Sequence, residues 1–340
     1  MRAVEIGDGF GLDKLRTVRR SAAAVGPGEV RVALRRASLN YRDLLMVRGQ
    51  YNPRQPLPLI PCSDGVGEIV EIGRDVQLHK NGDRVMTLFA QGWIDGDPTP
   101  ERVGRTLGGP LDGTLCQSIV LPEHGVVKTP DYLTDDEAAT LPCAALTAWS
   151  ALTGSDPSVN GRTIVVEGTG GVSLFALQLG VHLGARVWVT SSSDAKLERA
   201  REFGASYTVN YREQPDWSKF VKETTDGRGV DQVIEVGGAE TLPQALRSVR
   251  MGGTISLIGN LTGLVTELNL APILMRQVRV QGIFVGHRAQ FVAMNRTLEE
   301  AQLRPVVDRT FSLNDCVAAF EHMAAGRHFG KITVDLSDKP

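Results

Sequence analysis

From about residue 160 the chain alternates short β-branched runs with amphipathic helical text, and that alternation limits its fold more than any other feature. TIVVEG reads as a strand, and GVSLFALQLGVHLGA as a helix stopped by Gly184. RVWVTS is the next strand, after which Ser193 caps DAKLERAREFGA. SYTVNY, VDQVIEVG, GTISLIG and VRVQGIFVG follow as further strands with helical text between them. Strands joined by helices run parallel, so these six predict an α/β unit with a doubly wound parallel sheet. We assign it residues 144–284.

Residues 1–143 read differently. EVRVALRRASL, GVGEIVEIG, GDRVMTLF and CQSIVLP are short strands among glycines and prolines, the pattern of an antiparallel, barrel-like domain. Residues 87–113 form a long polar, glycine- and proline-rich stretch, expected to be mobile or functional. Residues 285–340 hold two more helices and a last strand, KITVDL, expected to return to the first domain.

Lys and Arg number 37 against 39 Asp and Glu, a balance that gives no basic patch for a nucleic acid or a membrane surface. No apolar run is long enough to span a bilayer, and the first residues lack the basic-then-apolar order of a signal peptide. The four cysteines, Cys62, Cys116, Cys143 and Cys316, form no C-x-x-C pair and read as reduced thiols. A cytoplasmic location is expected.

The turn after the first strand of the α/β unit is Gly168-x-Gly170-Gly171-Val172-Ser173. It follows a strand and opens a helix, the context in which such glycines admit a dinucleotide pyrophosphate to free helix N–H groups. Ser173 stands where the third glycine of the usual fingerprint falls. The next strand ends in Thr190, Ser191 and Ser192, then Lys196, where an NAD site usually carries an acid. Hydroxyls and a lysine favour a 2′-phosphate, so NADP(H) is the expected cofactor. Tyr211, ending the third strand, is placed to add a hydrogen bond.

At this point the chain resembles the medium-chain dehydrogenase/reductases along essentially its whole length. The resemblance rests on GEVRVALRRASLNYRDLLMVRGQY, PCSDGVGEIVEIG, GDRV, LPCAALTAWSAL, GTGGVSLFALQLG and GRHFGKI. It implies a GroES-like catalytic domain ahead of a Rossmann domain, and fits best the zinc-free branch of quinone and enoyl/alkenal reductases. By the same resemblance Thr147 lines the nicotinamide, and Gly237, Ile258 and Gly259 lie at strand ends along the cofactor. Phe284 and Val285 flank the nicotinamide on a strand that pairs across a homodimer, and Lys331 reaches the cofactor from the last segment.

The zinc branch places its ligands at three sites where this chain has Asn40, the pair Ser63 and Asp64, and Cys143. Asn and Ser are poor zinc ligands, so no metal is expected. The family's four-cysteine structural zinc lobe is also missing, since residues 87–113 contain no cysteine. Without a Lewis acid the natural acceptors are quinones and α,β-unsaturated carbonyls, whose conjugation spreads the charge that hydride addition creates. Such an acceptor needs hydrogen-bond donors at its oxygen and a proton source. Tyr51 is the expected proton donor by resemblance to enoyl reductases. Asn40 and Tyr41 are expected at the nicotinamide or the substrate carbonyl, and Asp43 is expected to orient its neighbours. The alternatives are an alcohol dehydrogenase or ketone reductase with a Cys143/Asp64 metal site, and a non-catalytic NADPH-binding protein.

Overall fold

The structure is a computed structural model that describes residues 1–154 and 158–337. The chain divides into two compact units, Met1–Leu146 with Gly286–Pro340, and Thr147–Val285. The first boundary falls slightly later than the sequence reading put it. The Leu141–Ala145 turn carrying Cys143 runs without a break into the Leu146–Thr153 helix.

In the first unit the strands are β1 (Arg2–Ile6), β2 (Leu15–Arg19), β3 (Glu29–Ser38), β4 (Asp64–Ile72), β5 (Arg84–Thr87), β6 (Ser118–Pro122) and β7 (Val126–Lys128). The second unit holds β8 (Thr163–Glu167), β9 (Arg186–Ser191), β10 (Tyr207–Asn210), β11 (Val230–Glu235), β12 (Val249–Leu257) and β13 (Arg279–Gly282). The chain then returns to the first unit with β14 (Val307–Ser312) and β15 (Lys331–Asp335).

The first unit is the GroES-like domain. Its main sheet runs β14-β15-β3-β4-β5-β7, with β6 also on β3, and all pairs but β14–β15 are antiparallel. β3 alternates Val30, Val32 and Leu34 inward, and these join Ile69, Val85, Leu121 and Phe320 in one core. Each such side chain contributes roughly 1.5–3 kcal/mol on burial. The 87–113 stretch departs from a mobile loop. Leu88, Phe89 and Ala90 are buried, Ala90 pairs with Thr106, and Thr99 caps a short Pro100–Val103 helix.

The second unit is the Rossmann domain. Its sheet order, β10-β9-β8-β11-β12-β13, is the doubly wound order whose switch point lies between β8 and β11. Every residue of β8 is buried, as expected for a central parallel strand covered on both faces. β13 lies at the sheet's edge and is exposed throughout. It ends at Gly282, so Phe284 and Val285 lie beyond the strand, with Val285 in the left-handed region at φ 48°.

Candidate active site

Three strand ends build the polar centre of the GroES-like unit. Ser38 of β3 pairs with Thr333 of β15 on one side and with Asp64 of β4 on the other. Continuing the antiparallel register sets Lys331 across from Asn40, and the Asn40 turn beside Ser63. The Lys331 Nζ donates to Leu39 O at 2.5 Å and to Asn40 Oδ1 at 2.6 Å, and lies 3.9 Å from Asp64 Oδ2. Asp64 accepts from Ser63 Oγ at 2.7 Å and from the Cys143 N–H at 3.2 Å. Asn40 Nδ2 stands 3.5 Å from Ser63 Oγ. Burial pushes the Asp64 carboxyl up, and Lys331 and the three hydrogen-bond donors Asn40, Ser63 and Cys143 oppose it. Lys331 is only 4% exposed and Asp64 is fully buried, whereas Asn40 and Cys143 are half-buried.

Asn40 precedes the Tyr41–Val47 helix, and its N–H donates to Asp43 Oδ2 at 2.8 Å. Burial is the main cause that raises Asp43 to about 6, Asp64 adds to it, and Arg42 opposes both. The Arg42 guanidinium donates to Leu107 O at 2.8 Å and Gly109 O at 3.2 Å. Its centre lies 4.8 Å from the Tyr51 ring and 5.0 Å from the Phe89 ring. Tyr51 is therefore held by its ring face on a fixed cation, and it is 43% exposed. Tyr41 is half-buried and packs on the domain core.

In the Rossmann unit Gly168 has φ 74°, a conformation that glycine adopts freely, and its N–H donates to Thr190 O at 2.9 Å. Gly170 opens the Gly171–His182 helix without a side-chain cap, and a Cβ built there would meet nothing within 4 Å. The first N–H groups of that helix, from Gly171 and Val172 onward, have no intrahelical acceptor. This is open space beside free donors, and it fits a pyrophosphate. Ser173 Oγ donates to Glu167 O at 2.7 Å, which ties the helix to the strand. Ser191 is buried, Ser192 half-buried and Tyr211 42% exposed, with the Tyr211 N–H on Ser191 O at 3.0 Å. Lys196 sits in the first turn of the Asp194–Glu202 helix, whose cap is the Ser193 hydroxyl as expected. Gly237 donates its N–H to Glu235 and Glu167. Ile258 and Gly259 donate to Glu235 O, and a Cβ on Gly259 would come 1.9 Å from Val236 O. Thr147 is buried.

Three features went unread in the sequence. Lys331 was assigned to the cofactor, but its ammonium is held by Asn40 and Leu39. The buried pair Glu167 and Glu235 was missed, although a lone acid ending an apolar strand, as in TIVVEG and VDQVIEVG, is a visible signal. Arg42 was passed over beside the more familiar Asn40 and Asp43.

Residues 26–131 match the Alcohol dehydrogenase GroES-like domain family, and residues 171–300 match the Zinc-binding dehydrogenase family. A zinc-type alcohol dehydrogenase-like protein of Schizosaccharomyces pombe is 43% identical over 318 residues, 92% of each chain. The acryloyl-coenzyme A reductase of Metallosphaera sedula is 30% identical over 315 residues, covering 90% of this chain and 91% of its own. The crystal structure of an NAD-dependent alcohol dehydrogenase superposes with a TM-score of 0.89 at 31% identity, covering 98% and 99% of the two chains. The chain belongs to the medium-chain dehydrogenase/reductase superfamily. It is an NAD(P)-dependent oxidoreductase.

The zinc that these family names imply does not fit the residues present. Zinc needs at least three good protein ligands, and here a serine and an asparagine occupy two of the positions. The Asn40 oxygen already accepts from an ammonium, and a second cation beside Lys331 would be repelled. Burial and Asp64 push the Cys143 thiol upward, away from the thiolate that binds metal. Among the described residues no group of three or more His, Cys, Asp or Glu is disposed to hold a metal ion. No helix among them is long and apolar enough to cross a membrane.

Proposed function

We propose that the protein is a metal-free, NADPH-dependent reductase of quinones or α,β-unsaturated carbonyls. The observation that carries this reading is the Lys331 ammonium lodged between Asn40 and Asp64, where the zinc enzymes of the family place their metal. Bound reduced nicotinamide supplies the hydride. The Gly168–Val172 turn would hold its pyrophosphate, and Ser191, Ser192, Lys196 and Tyr211 its phosphorylated ribose. This chain's own task at the acceptor is to meet the charge on a carbonyl oxygen and to deliver a proton. Asn40 supplies an amide donor and Tyr51 a phenolic proton. The acryloyl-coenzyme A reductase relative supports an activated C=C acceptor by likeness.

The test is cofactor oxidation by chelator-treated protein, with NADPH and NADH in parallel, against a 1,4-quinone, a 2-alkenal and a simple ketone. NADPH-preferred turnover of the quinone or alkenal is expected. Activity lost on chelation and restored by zinc would overturn the reading in favour of an alcohol dehydrogenase. Tight NADPH binding with no turnover of any acceptor would favour a binding protein.

We also read the protein as a cytoplasmic homodimer. β13 lies exposed at the sheet's edge, and the same unit exposes Leu264, Val265, Leu274, Met275 and Phe284, a liability that a second copy would cover. Sedimentation of the purified protein should give twice the chain mass.

A further inference from the structure

We propose that Lys331 is a positioning residue that makes Asn40 a hydrogen-bond donor toward the substrate's carbonyl oxygen. The inference rests on the metal-free reading and extends it to a residue that the reading leaves without a task.

The argument is a donor and acceptor inventory. An ammonium has three donors and no acceptor. Its contact with the Asn40 side chain at 2.6 Å therefore has to go to the amide oxygen, since the opposite rotamer would set NH2 against NH3⁺. The cation cannot swing away to allow that rotamer. Leu39 O binds it at 2.5 Å, Asp64 holds it by charge, and the residue is 4% exposed. Asp64 is itself fixed by Ser63 Oγ and the Cys143 N–H. On the backbone side, Asp43 holds the Asn40 N–H at 2.8 Å. The amide oxygen thus faces inward, and Nδ2 carries the remaining donors. One of these two donors faces Ser63 Oγ at 3.5 Å and the Asp64 carboxylate beside it, which leaves the second for a substrate oxygen.

Asn40 is also the partly exposed member of this side-chain chain, while Ser63, Asp64 and Lys331 are buried. Lys331 itself is too enclosed to touch a substrate, and it acts through the amide. When hydride adds to a conjugated acceptor, the electron pair displaced from the C=C bond collects on the carbonyl oxygen. A pre-set N–H donor stabilises that oxygen without giving up its proton. A flexible amide would present oxygen or nitrogen indifferently.

Two substitutions separate this role from a structural one. Lys331→Met keeps the apolar stem and removes the ammonium. Asn40→Asp keeps the bond to Lys331 and strips the donors. Each should lower kcat on 1,4-benzoquinone or 2-hexenal by about 10²–10³-fold, the usual loss of one such donor. The double variant should fall little further, because the two act as one unit. The NADPH Kd should stay the same in both. In the protein without cofactor, the Asn40 side-chain amide resonance, identified by its absence in Asn40→Asp, should shift in Lys331→Met. An unchanged kcat in Asn40→Asp overturns the proposal even if Lys331→Met fails to fold. So does a Lys331→Met variant that loses NADPH affinity and keeps kcat, or one whose Asn40 resonance does not move. Metal analysis of the wild type keeps the two claims apart. Stoichiometric, activity-linked zinc ends the metal-free reading, whereas a metal-free active wild type with an unimpaired Lys331→Met ends this inference alone.

Discussion

Glu167 and Glu235 end the neighbouring strands β8 and β11 and accept from the same backbone N–H, that of Gly237, at 3.3 and 3.0 Å. Glu235 also takes the Gly238 N–H and the Thr241 hydroxyl, so it has the partners of a carboxylate. Burial first, and then Glu235, push Glu167 well above the glutamate range, which makes Glu167 the protonated partner. Together they tie the two turns at the switch point of the Rossmann sheet through the Gly237 N–H they share.

The consequence for stability has a definite sign. Folding raises the Glu167 value, so its contribution is fully present below the ordinary glutamate value of about 4.3 and is lost as pH rises through the folded value. Glu167→Gln keeps an amide donor for Glu235 and removes the titration. Its melting temperature should match the wild type near pH 4.5 and exceed it increasingly as pH rises. Each kcal/mol relieved is worth about 2–4 °C, or somewhat less in a chain this long. Scanning calorimetry from pH 4.5 to 9 checks this, and a difference that does not grow with pH would contradict the assignment.

Asp43, raised to about 6 chiefly by burial, gives an acid limb to activity. Below that pH the carboxyl gains a proton and weakens as an acceptor for the Asn40 N–H. The kcat/KM profile of the wild type should fall below an apparent pKa of about 6. In Asp43→Asn the profile should be flat over that range at a lower plateau.

The proposed NADPH preference assigns the 2′-phosphate to Lys196. Lys196→Ala should weaken NADPH binding by about 10–100-fold, the value of one charge-assisted hydrogen bond, and leave NADH unchanged. Parallel fluorescence titrations with the two cofactors measure the ratio.

Tyr51→Phe removes the phenolic proton and leaves the ring on Arg42. Turnover should drop by about 10²-fold or more, the usual contribution of a general acid, at an unaltered NADPH Kd. Equal losses in turnover and affinity would remove Tyr51 from the proton-donor role.

What could be read in advance follows from how locally each feature is encoded. Strands β8 to β13 were legible because each is a short apolar run beside a helix with its own stop, and the Ser193 cap is a four-residue signal. The edge of β13 was overread, because VRVQGIFVG continues apolar past Gly282 where pairing ends. The bond from Lys331 to Asn40 was illegible because it spans 291 residues and depends on the register of β15 against β3. The Glu167–Glu235 pair depends likewise on strand order, and no window of sequence shows β8 and β11 side by side.

The return of β15 to β3 also sets a time at which this centre comes into being. Residues 38–64 leave the ribosome early and the whole Rossmann unit follows, yet Asn40 waits for residue 331. The Rossmann unit is thus complete in sequence before the Asn40 amide has its partner. On the proposed roles, a product that stops before residue 331 would lack the cation that orients Asn40.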